Sequence, residues 1–156
     1  MIIKKHFSVK RTYSQRLNGR PENIFPLLCP VRETEWVNDW DPNLVISESG
    51  TAELNCIFTI GSGKTESIWV ISAFDPGNGR IDFLKITPGV TLANIEIKLE
   101  LSDNITLAHI SYMHTAIGPD GISFVKDFTE EYYINFMKEW ESELNYYLEN
   151  GQKLSK

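Results

Sequence analysis

The chain has 156 residues, 42% of them hydrophobic and 23% charged, and a formal net charge of −6. That length is one ordinary domain, Met1 to Lys156, with enough buried surface to hold a core without disulfides or metals. The acidic balance argues against a nucleic-acid backbone as the main partner, because such binding is driven by Lys and Arg neutralising phosphates.

The chain opens Met1-Ile2-Ile3-Lys4-Lys5-His6, with no apolar stretch of signal-peptide length, and nothing downstream approaches the ~20 apolar residues of a membrane span. A reducing, cytoplasmic setting is the expectation. The basic run from Lys4 to Arg20 reads as the solvated face of a strand and turn. From His6 to Ser14, Phe7, Val9, Arg11 and Tyr13 alternate with Ser8, Lys10 and Thr12, which predicts a first strand with one mostly apolar face.

Between Arg20 and Trp40 the period changes. Pro21 suits the first turn of a helix, where its missing N–H is no loss, and Ile24, Phe25, Leu27 and Leu28 give that helix an apolar side. Pro30 ends it and starts a second, with Val31, Trp36 and Val37 inward. Glu33, Glu35, Asp39 and Asp41 alternate with polar neighbours and read as a solvated face rather than an acid–base pair. Cys29 and Cys56 show neither a disulfide framework nor metal spacing.

Strands are then expected near Leu44–Ser49, Glu53–Ile60, Thr65–Phe74, Arg80–Thr87, Thr91–Leu101 and Thr106–Thr115. They are separated by Ser49-Gly50, Gly61-Ser62-Gly63, Asp75-Pro76-Gly77-Asn78-Gly79, Pro88-Gly89 and Ser102-Asp103-Asn104. Connections this short join antiparallel neighbours. In the clearest alternation Ala93, Ile95, Ile97, Leu99 and Leu101 face one way and Asn94, Glu96, Lys98 and Glu100 the other, so one sheet face is covered and one wet. Gly61-Ser62-Gly63-Lys64-Thr65 imitates a phosphate loop, but Phe58 stands where its first glycine belongs and a strand follows instead of a helix, so it reads as a hairpin turn.

The cover is C-terminal. Thr129, Tyr133, Phe136, Met137, Trp140, Leu144, Tyr147 and Leu148 fall on one face of a helix of about six turns. It starts either at a capping box formed by Asp127 and Glu130 or near Asp120-Gly121, and it stops at Gly151. One long helix cannot pack flush on seven twisted strands, so a curved sheet gripping it leaves a hollow that the short helices roof. Trp36 and Trp40 are expected at that roof and Trp140 on the gripped helix. Phe58, Trp69, Ile95, Ile97, Leu99, Tyr133, Phe136 and Met137 are expected along the walls. Tyr112 and His114, two apart on one strand, share a face and form the best polar pair; Thr59 and Ser67 add hydroxyls. His109 and His114 are an odd number apart, so they point to opposite faces and do not share a metal.

The stretch RPENIFPLLCPVRETEWVNDW (20–40), then Ser47-Glu48-Ser49-Gly50, Ile57-Phe58-Thr59-Ile60, Ser67-Ile68-Trp69-Val70 through Asp75, and MKEWESELNYYLENG (137–151) resemble polyketide-cyclase-like members of the START / Bet v 1-like superfamily, the SRPBCC group. The likeness runs from Ser8 to Gly151. It implies an α+β helix-grip fold: a seven-stranded curved antiparallel sheet around a long C-terminal helix, with two short helices between strands 1 and 2. It also implies a cavity for an apolar or amphipathic molecule. Members bind lipids, sterols, polyketides or plant hormones; some are cyclases or dehydratases, and some act on other proteins. No catalytic motif is shared by all, so none is carried over. The leading expectation is a non-enzymatic binder of a small apolar ligand, without cofactor or metal. The alternatives are a cyclase- or dehydratase-like enzyme using His114 and Tyr112, and a protein-interaction module presenting Glu130, Glu131, Glu139, Glu141, Glu143 and Glu149 from the outer side of the last helix.

Overall fold

The in–out alternation of the first strand continues further than its apolar residues alone suggest. In the computed structural model, which describes all residues from Met1 to Lys156, β1 runs Ser8–Leu17 and its inward row extends through Gln15 and Leu17, both buried. One helical turn, α1 (Pro21–Ile24), passes into a 3-10 turn at Phe25–Leu27, and a second 3-10 turn follows at Arg32–Glu35. The two short helices are therefore single turns. Indole hydrogen bonds hold them: Trp36 Nε1 donates to the Leu27 carbonyl at 3.0 Å and Trp40 Nε1 to the Pro30 carbonyl at 2.8 Å.

Six further strands complete the sheet: β2 (Leu44–Ile46), β3 (Ile57–Ile60), β4 (Ser67–Asp75), β5 (Arg80–Thr87), β6 (Thr91–Ser102) and β7 (Ile105–Ala116). Their order is β1-β7-β6-β5-β4-β3-β2, and every neighbouring pair is antiparallel. β2 and β3 are shorter than the alternation suggests. The carboxylate of Glu53 folds the chain between them into a loop by accepting the backbone N–H groups of Glu48 and Ser49 and the Ser47 hydroxyl. Gly61 has φ +89°, and a Cβ there would lie 2.9 Å from the Thr65 carbonyl oxygen, so Gly61–Thr65 is a tight turn leading into β4. In β6, Ala93, Ile95, Ile97 and Leu99 are buried as expected. Leu101 departs from that row: it is 45% exposed, close to the hairpin end where β6 turns into β7.

The C-terminal segment is two helices, α2 (Pro119–Asp127) and α3 (Glu130–Asn150). Neither the Asp127 capping box nor a continuous helix from Asp120 forms. The Phe128 backbone leaves helical geometry, bringing its ring to 4.4 Å from the His114 ring, and Thr129 caps α3 by accepting the Tyr132 N–H at 3.1 Å. Gly151, at φ +68°, ends α3 as expected. No helix is long and apolar enough to cross a membrane.

α3 is fastened along β1. Gln15 Nε2 donates to the Met137 carbonyl at 3.0 Å, and Asn145 Nδ2 donates to the Arg16 carbonyl at 2.9 Å. The expected acidic outer side is mostly spent on such contacts. Glu141 accepts from the Tyr13 hydroxyl and the Arg16 N–H, Glu149 from Asn18, and Glu139 pairs with Lys156. Glu143 is only 4% exposed and accepts the Asn38 N–H at 2.8 Å. Glu130 and Glu131 alone keep their carboxylates outward and unpaired, so the helix does not present the six-acid surface on which a protein-docking role rested.

Two glycines set how closely α2 approaches the sheet. A Cβ at Gly121 would lie 1.9 Å from the Val90 carbonyl oxygen, and one at Gly118 would lie 2.0 Å from that of Gly89. Both obstacles are backbone and cannot swing aside. Gly121→Ala is therefore expected to destabilise the fold by about 1–3 kcal/mol, read by urea unfolding, as overpacking does. A change below about 0.5 kcal/mol, the size of an ordinary surface substitution, would show that this contact is slack.

Candidate ligand-binding cavity

The inner row of the sheet and the two helices do not meet everywhere. Between them lies a cavity of about 400 Å³ lined by 20 residues, 14 of them hydrophobic. One wall comes from β3, β4 and β5 together with Trp40 from the roof. Phe58 and Trp69, paired across β3 and β4, stack with centroids 5.4 Å apart. Trp40 meets Trp69 edge-on at 6.0 Å, and Phe83 does the same at 6.0 Å. The opposite wall comes from β7, α2 and α3. Tyr112 lies 6.4 Å from Phe128 and 5.9 Å from Phe136, and His114 lies 4.8 Å from Phe124. Such edge-on and offset contacts are the favoured arrangements of rings.

Strand alternation decides which polar groups enter. On β5, Ile81, Phe83 and Lys85 point inward, and Lys85 sits opposite Trp69 on β4 and Ala93 on β6. Its Nζ lies 5.2 Å from the centre of a Trp69 ring, within cation–π range. It makes no ion pair, and burial lowers its pKa. Glu33 enters from the second 3-10 turn, 8% exposed and without an ion-pair partner. Desolvation alone pushes its carboxyl up to about 8, so it is mostly protonated at neutral pH. His114 is buried, its Nδ1 has no hydrogen-bond partner, and burial followed by the Lys85 charge pushes it down to about 4. Burial, then Tyr133 and Glu33, raises the Tyr112 phenol far above its ordinary value.

These environments set the available chemistry. His114 is neutral at pH 7 and a weak base, and Tyr112 keeps its proton and acts as a hydrogen-bond donor. Glu33 is the cavity carboxyl that burial brings toward physiological pH. The reading of Glu33 as part of a solvated acidic face is thus corrected. The turn that carries it presents Trp36 outside the cavity and Glu33 inside.

Of the expected site residues, Trp40, Phe58, Trp69, Ile95, Ile97, Tyr112, His114, Phe136 and Trp140 line the cavity. Trp36, Leu99, Tyr133 and Met137 do not; all four are buried core. Trp36 stacks on Trp140 at 5.4 Å from behind the wall, and Tyr133 donates its hydroxyl to the Ile110 carbonyl at 2.8 Å. Thr59 lies on the outward row of β3. Ser67 does line the cavity, but its hydroxyl is engaged by the Trp69 indole N–H at 2.9 Å. Besides the Nδ1 of His114, the cavity holds two polar side chains that sequence reasoning did not place there, Lys85 and Glu33. The signal for Lys85 was present, since it continues the inward row of Ile81 and Phe83; Glu33 had none, because its direction depends on a single 3-10 turn. His109 lies on the outer face with Glu100 at 2.7 Å, opposite to His114 as the spacing required. A larger depression of about 770 Å³ on that outer face is lined by charges of both signs, including Lys10, Arg80, Asp82, Glu96 and Lys98, and has few apolar walls.

No protein-family model and no curated protein matches the chain. Solved structures do. Norcoclaurine synthase from Thalictrum flavum, in complex with dopamine and hydroxybenzaldehyde, superposes with a TM-score of 0.62 at 12% identity, over 100% of this chain and 98% of that one. Ara h 8.0201 gives 0.62 at 12% identity, over 92% and 100%. DynU16, from the dynemicin biosynthetic locus, gives 0.60 at 14% identity over 92% of this chain, which spans about half, 48%, of that protein. At these identities the likeness establishes the architecture: one curved seven-stranded antiparallel sheet holding a long C-terminal helix.

Proposed function

We propose that this chain, whose fold is the Bet v 1-like helix grip of the SRPBCC superfamily, binds one small, chiefly apolar molecule of the lipid-, sterol- or polyketide-like kind in the hollow between sheet and α3. The observation that carries the reading is the cavity itself: about 400 Å³, two aromatic walls, and polar groups inside that have no protein partner. Small-molecule sites usually occupy ~300–1,000 Å³, are mostly apolar and hold a few convergent polar groups. The synthase that shares this fold is in complex with two small aromatic molecules, which supports a pocket of this kind here.

Titration with the neutral fluorophore N-phenyl-1-naphthylamine tests the reading. The expected result is saturable, one-to-one binding with quenching of tryptophan emission, because Trp40, Trp69 and Trp140 all face the cavity. Ile95→Trp fills the hollow from the floor of the sheet and is expected to abolish the saturable signal while the far-ultraviolet dichroism stays native. An unsaturable signal in the wild type, or the same titration curve in Ile95→Trp, would count against internal binding.

A further inference from the structure

We infer that the occupant of the cavity is an amphipathic monocarboxylate, held with its apolar body between the aromatic walls and its carboxylate accepting hydrogen bonds from Lys85 Nζ. The inference rests on the cavity being a ligand site and specifies the ligand's chemistry.

Lys85 is the cavity's one cation, apart from any proton on His114. It projects from the inward row of β5 into a space bounded by Trp69, Phe83 and Ile95, and no carboxylate lies within ion-pair distance. The acid nearest to it in sequence, Asp82, points to the other sheet face and takes Arg80 at 2.6 Å. Glu33, the cavity's one acid, does not pair with it. The Trp69 ring at 5.2 Å offers Lys85 a cation–π contact, while His114 is held neutral partly by the lysine's charge. Lys85 is half-buried, and a cation partly withdrawn from water into an apolar hollow gains most from an anionic partner. A site that supplies the walls and the cation but omits the anion is completed by a ligand that brings one.

Charge balance restricts the anion to a single negative charge, because Lys85 is the only Lys or Arg lining the space. A doubly charged phosphate would exceed the one compensating lysine in a largely apolar space. The opposite wall offers the Tyr112 hydroxyl and the unpartnered Nδ1 of His114, which suit a neutral oxygen or hydroxyl elsewhere on the molecule.

The test is displacement of N-phenyl-1-naphthylamine by naphthalene-2-carboxylate and, in parallel, by the uncharged naphthalene-2-methanol at neutral pH. The expected result is tighter binding of the acid by about ten- to a hundredfold, the range of one charge-assisted hydrogen bond. In Lys85→Met the acid loses that advantage and the two compounds bind alike; in Lys85→Arg the preference persists. The wild-type comparison stands whether or not a variant folds. Equal affinities in the wild type, or a preference that survives in Lys85→Met, overturns the inference while leaving the cavity reading intact if the neutral fluorophore still binds. Failure of the fluorophore to bind removes both.

Discussion

Glu33→Gln is expected to stabilise the protein at pH 8 by about 2–4 kcal/mol and to leave it nearly unchanged at pH 5. The carboxyl is buried without a hydrogen-bond or ion-pair partner, and desolvation raises it from its ordinary 4.5 to about 8. The folded state therefore holds this proton more tightly than the unfolded chain does. That contribution is complete below about pH 4.5 and is lost as pH rises through 8. The whole difference is worth at most about 5 kcal/mol, and water entering the cavity lowers it. His114 acts with the opposite sign. Its folded value, about 4, lies below the ordinary 6.5, so its contribution is present above pH 6.5 and lost as pH falls through 4. The two slopes oppose each other between about pH 4.5 and 6.5. Wild-type stability from urea unfolding should be level across that interval and fall above it, and the fall should vanish in Glu33→Gln. A wild-type curve that is flat from pH 6.5 to 8.5, or that rises, would show that the Glu33 carboxyl is solvated.

The second large effect is expected at Trp36, which is fully buried behind the cavity wall. Trp36→Ala should cost about 3–5 kcal/mol, the range for deleting a buried aromatic. In a chain of this length that lowers Tm by roughly 10 °C. Two interactions disappear with the ring: the hydrogen bond to the Leu27 carbonyl, which closes the α1 segment onto the second 3-10 turn, and the stacking that fixes Trp140 in the wall. Trp36→Phe keeps most of the buried area and loses the hydrogen bond, so its cost should be nearer 1–2 kcal/mol. Thermal unfolding followed by circular dichroism separates the two. If Trp36→Ala melts within a few degrees of the wild type, the roof does not depend on this residue.

The sheet was largely legible because its determinants are local. β5 has the bounds its turn signals predict, and β6 and β7 come within a residue or so of theirs, since Gly and Pro clusters punctuate a period-two pattern. That same pattern put Tyr112 and His114 on one face and His109 on the other, and the structure makes the first the inner face. What could not be read depends on contacts between distant segments. The break at Phe128 interrupts a periodicity that is helical on both sides, and it is fixed by the packing of Phe128 on His114. Trp36 and Trp40 look equivalent in the sequence, yet one plugs the core and the other faces the hollow, because their indoles reach different carbonyls, Leu27 and Pro30. Glu33 sits among apparently solvated acids, and only the direction of one 3-10 turn carries it inside. Glu143 shows the same ambiguity on α3: an acidic residue on the expected outer side is buried against the Asn38 backbone. Glu33 misled because a single turn decides which way it faces, and Glu143 because a distant segment, carrying Asn38, packs over it.

A crystal structure of the protein grown with N-phenyl-1-naphthylamine distinguishes a ligand site between the sheet and α3 from a packing defect. A ligand site is expected to hold one molecule of the fluorophore between the Trp69 wall and the Phe128 wall, in contact with Ile95 beneath it. A fluorophore bound only to the outer sheet face, or a hollow closed by inward movement of Phe124 and Phe136 with no room left for it, would show that the space is not a ligand site.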